Sequence, residues 1–214
     1  MSASESEPTS LSFTEEMKGF VTFGETDFQR GYDQGKAAKT DLMFHLTITM
    51  DDVAHFVEDP KHLGSAEGYV RSDELGGQRE VERGIFNLFV NADQPNHKLM
   101  LYRLFFYDGE GRQMTLYGFK DVKDDPGIDN IWKDTSTLYT RILRGHVLPE
   151  EDEAAEVIAS GIIHIHELDF LKQLTTFRVK GPTLAARGEA LALFGKLFLG
   201  SLWEVYGSKL PLPH

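Results

Sequence analysis

The chain has 214 residues, 22 Lys/Arg against 34 Asp/Glu for a net charge of −12, and no cysteine. That length fits one domain that buries roughly 70% of its unfolded surface without a metal or disulfide staple. Lack of cysteine excludes disulfide scaffolds, Cys-ligated zinc, iron–sulfur clusters and thiol nucleophiles, and the acidic balance has the wrong sign for general nucleic-acid binding.

Residues 1–12 are small, polar and acidic and are predicted to form a disordered tail, with structure starting near Phe13. Segments 17–24 and 67–73 carry fainter strand patterns. Between them, residues 42–49 read as a strand, and Asp51 and Asp52 cap a short helix that runs to Val57 and ends at Asp59-Pro60. In residues 79–90 the apolar positions alternate, with Phe86, Leu88 and Val90 on one face and Ile85, Asn87 and Phe89 on the other. Segments 99–107 and 112–120 flank Asp108-Gly109-Glu110-Gly111 and predict a β-hairpin. A four-residue loop pairs Phe105 with Met114 and Arg103 with Leu116 on one face. It pairs Tyr102 with Tyr117 and Met100 with Phe119 on the other. Both faces are bulky, so the hairpin is expected to be covered on both sides.

Further strands are predicted at 135–144 and 161–167, a solvated acidic segment at 150–156, and a short helix at 168–176. One long helix closes the chain over 182–207, with Pro182 at its first position and Gly207 as its stop. Its stretch 190–203 is apolar nearly all round yet too short to span a bilayer. It should pack on the barrel, a partner domain or a membrane surface. From Val157 onward six Lys/Arg stand against four Asp/Glu, a local +2 that leaves −14 for the rest.

Many short strands followed by one helix predict a mainly β, antiparallel, lipocalin-like barrel over 13–181, with the 182–207 helix packed on the same domain. A two-sheet sandwich is the alternative. No βαβ alternation supports a Rossmann or flavodoxin fold. The chain has no run of 18 apolar residues, no basic-then-apolar leader and no Asn-x-Ser/Thr sequon. This predicts a cytoplasmic, soluble protein without a transmembrane segment.

The chemical motifs are sparse. His164-Ile165-His166 puts two imidazoles on one strand face, a start on a metal site, but the further ligands are not nearby, and an exposed strand face is the plainer reading. Asp121, Asp124, Asp125, Asp129, Asn130 and Asp134 crowd a Pro-Gly loop without EF-hand spacing; caps and a turn explain them. Gly31-x3-Gly35-Lys36-Ala37 falls short of a phosphate loop by one residue and a hydroxyl, and is predicted to be a flexible loop. Arg103 and Arg141 lie in apolar strands and need partners, either protein carboxylates or an acidic ligand. Neither a hydrolase elbow nor a dinucleotide fingerprint is present, so no cofactor is expected.

A further set of residues carries a resemblance. It comprises Met17-x-Gly19, Leu75-Gly76-Gly77, Gly84-Ile85-Phe86-Asn87-Leu88-Phe89, Tyr102-Arg103-Leu104, Asp124-Asp125-Pro126-Gly127 and Trp132-x-Asp134-Thr135. Thr137-Leu138-Tyr139, Gly145-His146 and Gln173-Leu174-Thr175-Thr176-Phe177-Arg178 extend it over 13–206. The set resembles an accessory, non-flavin module of some long bacterial GMC-type, cholesterol-oxidase-like oxidoreductases, some of them also joined to an α/β-hydrolase segment. The resemblance implies a free-standing accessory module whose neighbours handle sterols or other lipids. It transfers no catalytic residue.

Three functions follow as expectations. The first is binding of an apolar small molecule, lipid- or sterol-like, in a lumen lined by some of Phe86, Leu88, Phe105, Met114, Tyr117 and Tyr139, with Arg103 as its charged group. The second is an interaction module whose terminal helix and Trp203 dock on an oxidoreductase or hydrolase partner or on a second copy. The third is a small isomerase- or cyclase-type enzyme using His45, His146, His164 or His166.

Overall fold

The computed structural model describes residues 7–92, 96–123, 129–165 and 176–206. Eight antiparallel strands form one closed barrel: β1 (Ser10–Phe23), β2 (Asp41–Met50), β3 (Leu63–Ser72), β4 (Gly77–Asn91), β5 (His97–Tyr107), β6 (Gln113–Lys123), β7 (Thr137–Arg144) and β8 (Val157–His164). Each strand pairs with the next in sequence. Closure comes from β1, which pairs with β2 from Leu11 to Phe20 and with β8 from Lys18 to Phe23. That double pairing rules out the two-sheet sandwich, because a sandwich leaves strand edges open and this barrel leaves none between β1 and β8. A three-residue strand, β9 (Arg178–Lys180), pairs with Ser10–Ser12.

Among the described residues four α-helices accompany the strands: α1 (Phe28–Ala38), α2 (Val53–Glu58), α3 (Asp129–Ser136) and α4 (Leu184–Tyr206). The capping of α2 is as expected, with Asp52 Oδ1 accepting from the backbone N–H groups of Ala54 and His55. At α4 the cap is Thr183, whose Oγ1 accepts from Ala186 N; Pro182 precedes it instead of opening the helix. The expected helix at 168–176 and the stop at Gly207 lie outside the described residues.

Four expectations are corrected. Order begins earlier than Phe13: Ser10, Leu11 and Ser12 sit in β1, held by the ladders to β2 and β9. The segment around Gly31 and Gly35 is helix α1, not a loop. Its two glycines, four apart, lie on one helix face. A Cβ on Gly31 would stand 2.0 Å from Ser160 O, and one on Gly35 2.3 Å from Val21 O, so α1 lies directly on the backbone of β8 and β1.

The hairpin register is the third. Its loop has five residues, with Tyr107 opposite Gln113, so Phe106 faces Met114, Leu104 faces Leu116 and Arg103 faces Tyr117. The reason is Asp108, whose Oδ1 accepts from Glu110 N and Arg112 N while its own N–H donates to Arg112 O. One extra loop residue shifts the pairing by one, so each residue of β5 shares a face with residues of β6 that the shorter loop would put on the opposite face. Finally, Phe89 does not face away from Leu88. It takes a left-handed φ of 50° in a bulge between Asn87 and Val90, which turns it into the core.

The interior is solid. Met17, Phe44, Leu46, Ile48, Val70, Phe86, Tyr102, Leu104, Leu116 and Ile142 are all essentially inaccessible and belong to one cluster. One end is sealed by α2, β9 and α4 through a chain of rings: Phe86–Phe13–Phe177–Phe194–Phe198–Phe89, with centroids 5.2–6.3 Å apart. The outer face of β5–β6 is also covered, as its two bulky faces led one to expect, here by Val147 and Asp152 of the β7–β8 connection and by Phe28 of α1.

Candidate functional site

The residues expected to share a lumen are divided by the barrel wall. Phe86, Leu88 and Met114 point inward and are part of the packed core. Phe105, Tyr117 and Tyr139 belong to the outer surface, as does Arg103. The one-residue register change in the hairpin accounts for Arg103 and Tyr117 lying side by side outside.

Arg103 has a protein partner. Its guanidinium donates to Asp152 Oδ2 at 2.6 Å and to Val147 O at 2.7 Å, and lies 4.9 Å from the centre of the Tyr117 ring. Burial pushes the Tyr117 hydroxyl above the usual tyrosine range, and the Asp152 charge adds to that against the opposing pull of Arg103 and Arg141. Arg141 pairs with no carboxylate among the described residues; it stacks 4.5 Å from the Phe28 ring and donates to Thr26 O. Phe105 packs against His146 and under Arg83, and Tyr139 against Phe119 and Phe28.

Inside the barrel is a polar group that the sequence did not single out. Lys120 Nζ lies 3.1 and 3.3 Å from the two Glu15 carboxylate oxygens, and Tyr102 donates its hydroxyl to Glu15 Oε1 at 2.9 Å. Lys120 is 2% exposed and Glu15 3%. Burial pulls the Lys120 ammonium below the usual lysine range, against the opposing effect of the Glu15 charge; burial also drives the Tyr102 hydroxyl well above its own. The trio is buried, and neither space described below is lined by any of its members. Its signal was the charge at position 120, two residues beyond Gly118 in a strand whose even positions are buried.

The histidines are held by local contacts. His45 Nδ1 lies 3.3 Å from Glu16 and its ring stacks on Tyr69; His146 Nε2 contacts Phe106 O at 3.2 Å. His164 Nδ1 lies 3.3 Å from Thr137 Oγ1. His166 lies outside the described residues, as do Asp124 and Asp125. Among the described residues no three His, Cys, Asp or Glu side chains gather in a way that could hold a metal ion. Asp121 is engaged by His97 and Lys123.

A ligand-sized space exists on the outside of the barrel. A cleft of about 590 Å³ opens between α1, the ends of β1–β3 and the turn at Asp73 and Glu74. Its floor is a single cross-strand row: His164 of β8 pairs with Lys18 of β1, Lys18 with Met43 of β2, and Met43 with Arg71 of β3. Odd-and-even alternation puts all four on the outer face. The wall comes from α1, where Tyr32 stands edge-on to His164 at 5.7 Å and to Phe20 at 5.9 Å. Lys39, the left-handed C-cap of α1, and Asp41 line the same space. Phe20, Tyr32 and Met43 thus make an apolar patch beside three cations, Lys18, Lys39 and Arg71, and three acids, Asp41, Asp73 and Glu74.

Of the candidate residues read from the sequence that are described, only His164 lies in this cleft. A signal for the wall was present in the Gly31/Gly35 spacing, which marks a helix pressed onto a strand and so places Tyr32 beside it. A second, smaller space of about 130 Å³ is lined by Asp121, Lys123, Lys133, Asp134, Thr137 and Tyr139 and is too small for more than a few waters. None of the described helices is long and apolar enough to cross a membrane. The chain matches no family model, no curated protein and no solved structure.

Proposed function

We propose that this protein is a small-molecule-binding module whose ligand, a lipid-like molecule with an apolar body and a polar head, lies in the external cleft between α1 and β1–β3. The observation that carries this reading is a pair: the interior is filled by side chains, while the cleft has the volume of a small-molecule site. Phe20, Tyr32 and Met43 would take the apolar body, and Arg71, Lys39 and His164 would orient the head. The up-and-down barrel with one helix packed outside it supports the lipocalin-like expectation at the level of architecture. An accessory role beside an oxidoreductase or hydrolase follows from the sequence resemblance alone, and so does the sterol or lipid character of the wider system.

The test is titration of the protein with dansyl-undecanoic acid, read by dansyl fluorescence. The reading expects saturable binding that weakens at least tenfold in Met43→Glu and in Arg71→Glu, and is unchanged in Arg144→Ala, whose side chain pairs with Glu156 and does not line the cleft. Binding unaffected by both cleft substitutions, or absent altogether, would remove this reading.

A further inference from the structure

Helix α4 is apolar on the face it buries and on the face it does not. Ala190, Phe194 and Ser201 are buried against α2 and the barrel end, with Phe194 on Phe56 and Phe177 and Phe198 on Phe89. At 100° per residue, positions 184, 185, 188, 189, 191, 192, 195, 196 and 199 occupy the opposite arc. That arc holds three leucines, two alanines, two glycines and only two charges, Glu189 and Lys196. Leu184, Leu191 and Leu199 are 79%, 50% and 68% exposed. Isolated exposed leucines need no explanation, but a contiguous apolar helix face does. Among the described residues nothing fills it: a Cβ on Gly188 or Gly195 would meet none of their atoms within 4 Å.

We infer that the outward face of α4 docks a second copy of this chain, the two helices antiparallel, with Glu189 of each copy facing Lys196 of the other. The charge pattern selects this occupant. Glu189 and Lys196 are two turns apart on the same edge of the face and neither forms an ion pair among the described residues. A two-fold axis crossing α4 between them, near Ala192, brings each glutamate onto the other copy's lysine. A parallel two-fold pair would put the charged edges of the two copies on opposite sides of the seam, where neither charge finds a partner. The pattern is therefore self-complementary, which a two-fold interface requires and a foreign partner does not. Ala185, Gly188 and Ala192 leave room for Leu199 of the second copy. The net charge of −12 is carried by the chain before Val157, since the chain from there onward is +2, and the face in question is the one α4 turns away from its buried residues. One helix face is less than the roughly 800 Å² per partner of a standard interface, so the dimer is weak and concentration-dependent.

Sedimentation velocity on the full chain across about 1–300 μM tests this. The expected result is a rise from 24.2 kDa toward twice that mass, abolished by Leu199→Glu, whose fold is checked by circular dichroism. Glu189→Lys or Lys196→Glu alone weakens association about tenfold, since each dimer loses two attractive contacts and gains two repulsive ones. The combined exchange E189K/K196E restores it. A monomer at every concentration, a dimer indifferent to Leu199→Glu, or an exchange variant as weak as the single variants would overturn the inference. So would a monomer that sediments with phosphatidylcholine vesicles through Leu199, which would assign the face to a bilayer surface. The inference does not depend on the cleft: dansyl-undecanoic acid binding is expected to be the same in Leu199→Glu as in the unsubstituted chain.

Discussion

Replacing Glu15 with leucine is the most searching perturbation of this barrel. The carboxylate lies 3.1 Å from the Lys120 ammonium and accepts the Tyr102 hydroxyl at 2.9 Å. At an effective dielectric of about 20, two unit charges at that separation attract by about 5 kcal/mol, a gross figure from which desolvation of both groups must be subtracted. Removing one partner leaves the ammonium uncompensated beside Tyr102, whose ring it approaches to 5.2 Å. It also leaves the Tyr102 hydroxyl without an acceptor. Breaking a buried pair in this way costs about 3–5 kcal/mol, a large share of the roughly 5–15 kcal/mol that holds a domain folded.

Urea denaturation followed by far-ultraviolet circular dichroism reads this directly. With a slope of about 2 kcal/mol/M, the midpoint should fall by about 2 M in Glu15→Leu. The triple variant E15L/K120M/Y102F removes every polar atom of the trio and should return to within about 1 kcal/mol of the original stability or exceed it, because desolvation is no longer required. Comparing Glu15→Leu, Lys120→Met and E15L/K120M separates the pair from its surroundings. A Glu15→Leu midpoint within 0.5 M of the original (about 1 kcal/mol at this slope) would mean that water reaches Lys120. The filled interior, and with it the argument that moves the ligand outside the barrel, would then be wrong.

Three further outcomes are expected. Asp108→Asn should destabilise by about 2 kcal/mol at neutral pH, since the hairpin loop is organised on that carboxylate. Burial opposes its charge, but the N–H groups of Arg112 and Glu110 and the Arg112 guanidinium outweigh burial and hold it below the usual carboxylate range. Because the folded-state pKa lies below the unfolded one, the contribution is complete above about pH 5 and disappears as pH falls through the folded value; a gap between the two proteins that persists at pH 2 in urea titrations would contradict this. Gly31→Ala should lower the melting temperature by several degrees, with Gly35→Ala acting alike, because each new methyl must push α1 off the β8 or β1 backbone. A calorimetric scan showing no change would mean that α1 does not lie where it does here. Phe89→Ala should cost about 3 kcal/mol and loosen α4, seen as faster amide exchange in residues 190–201, offset in part by relief of a left-handed phenylalanine.

The legibility of this protein varied with the physics behind each element. Strands such as 42–49 and 99–107 announce themselves because short apolar runs rich in β-branched or aromatic residues have few other uses. The α2 cap at Asp52 was likewise local. Arg103 reads as a charge in an apolar strand and Tyr117 as a lumen candidate on the opposite hairpin face; the fifth loop residue, admitted by the Asp108 carboxylate, shifts the register by one and puts the two side by side outside. The segment 31–37 was missed as a helix because two glycines lower its propensity; its stability comes from packing on β1 and β8, which no window of sequence contains. The cleft residues Lys18, Tyr32, Met43 and Arg71 come from four separate elements and meet only through strand register.

The sequence by itself determined the mainly β, antiparallel architecture, the terminal helix that is apolar all round, and the absence of thiol chemistry. These depend on composition and on period, which are local properties. The tertiary structure decided that the barrel closes through β1, that its interior is filled, that Lys120 and Glu15 meet inside it, and that the ligand-sized space lies outside. Each of those depends on contacts between residues from about 20 to more than 100 positions apart, such as the 105 positions that separate Glu15 from Lys120. Closure fixes them together, because a barrel allows one register for all eight strands at once.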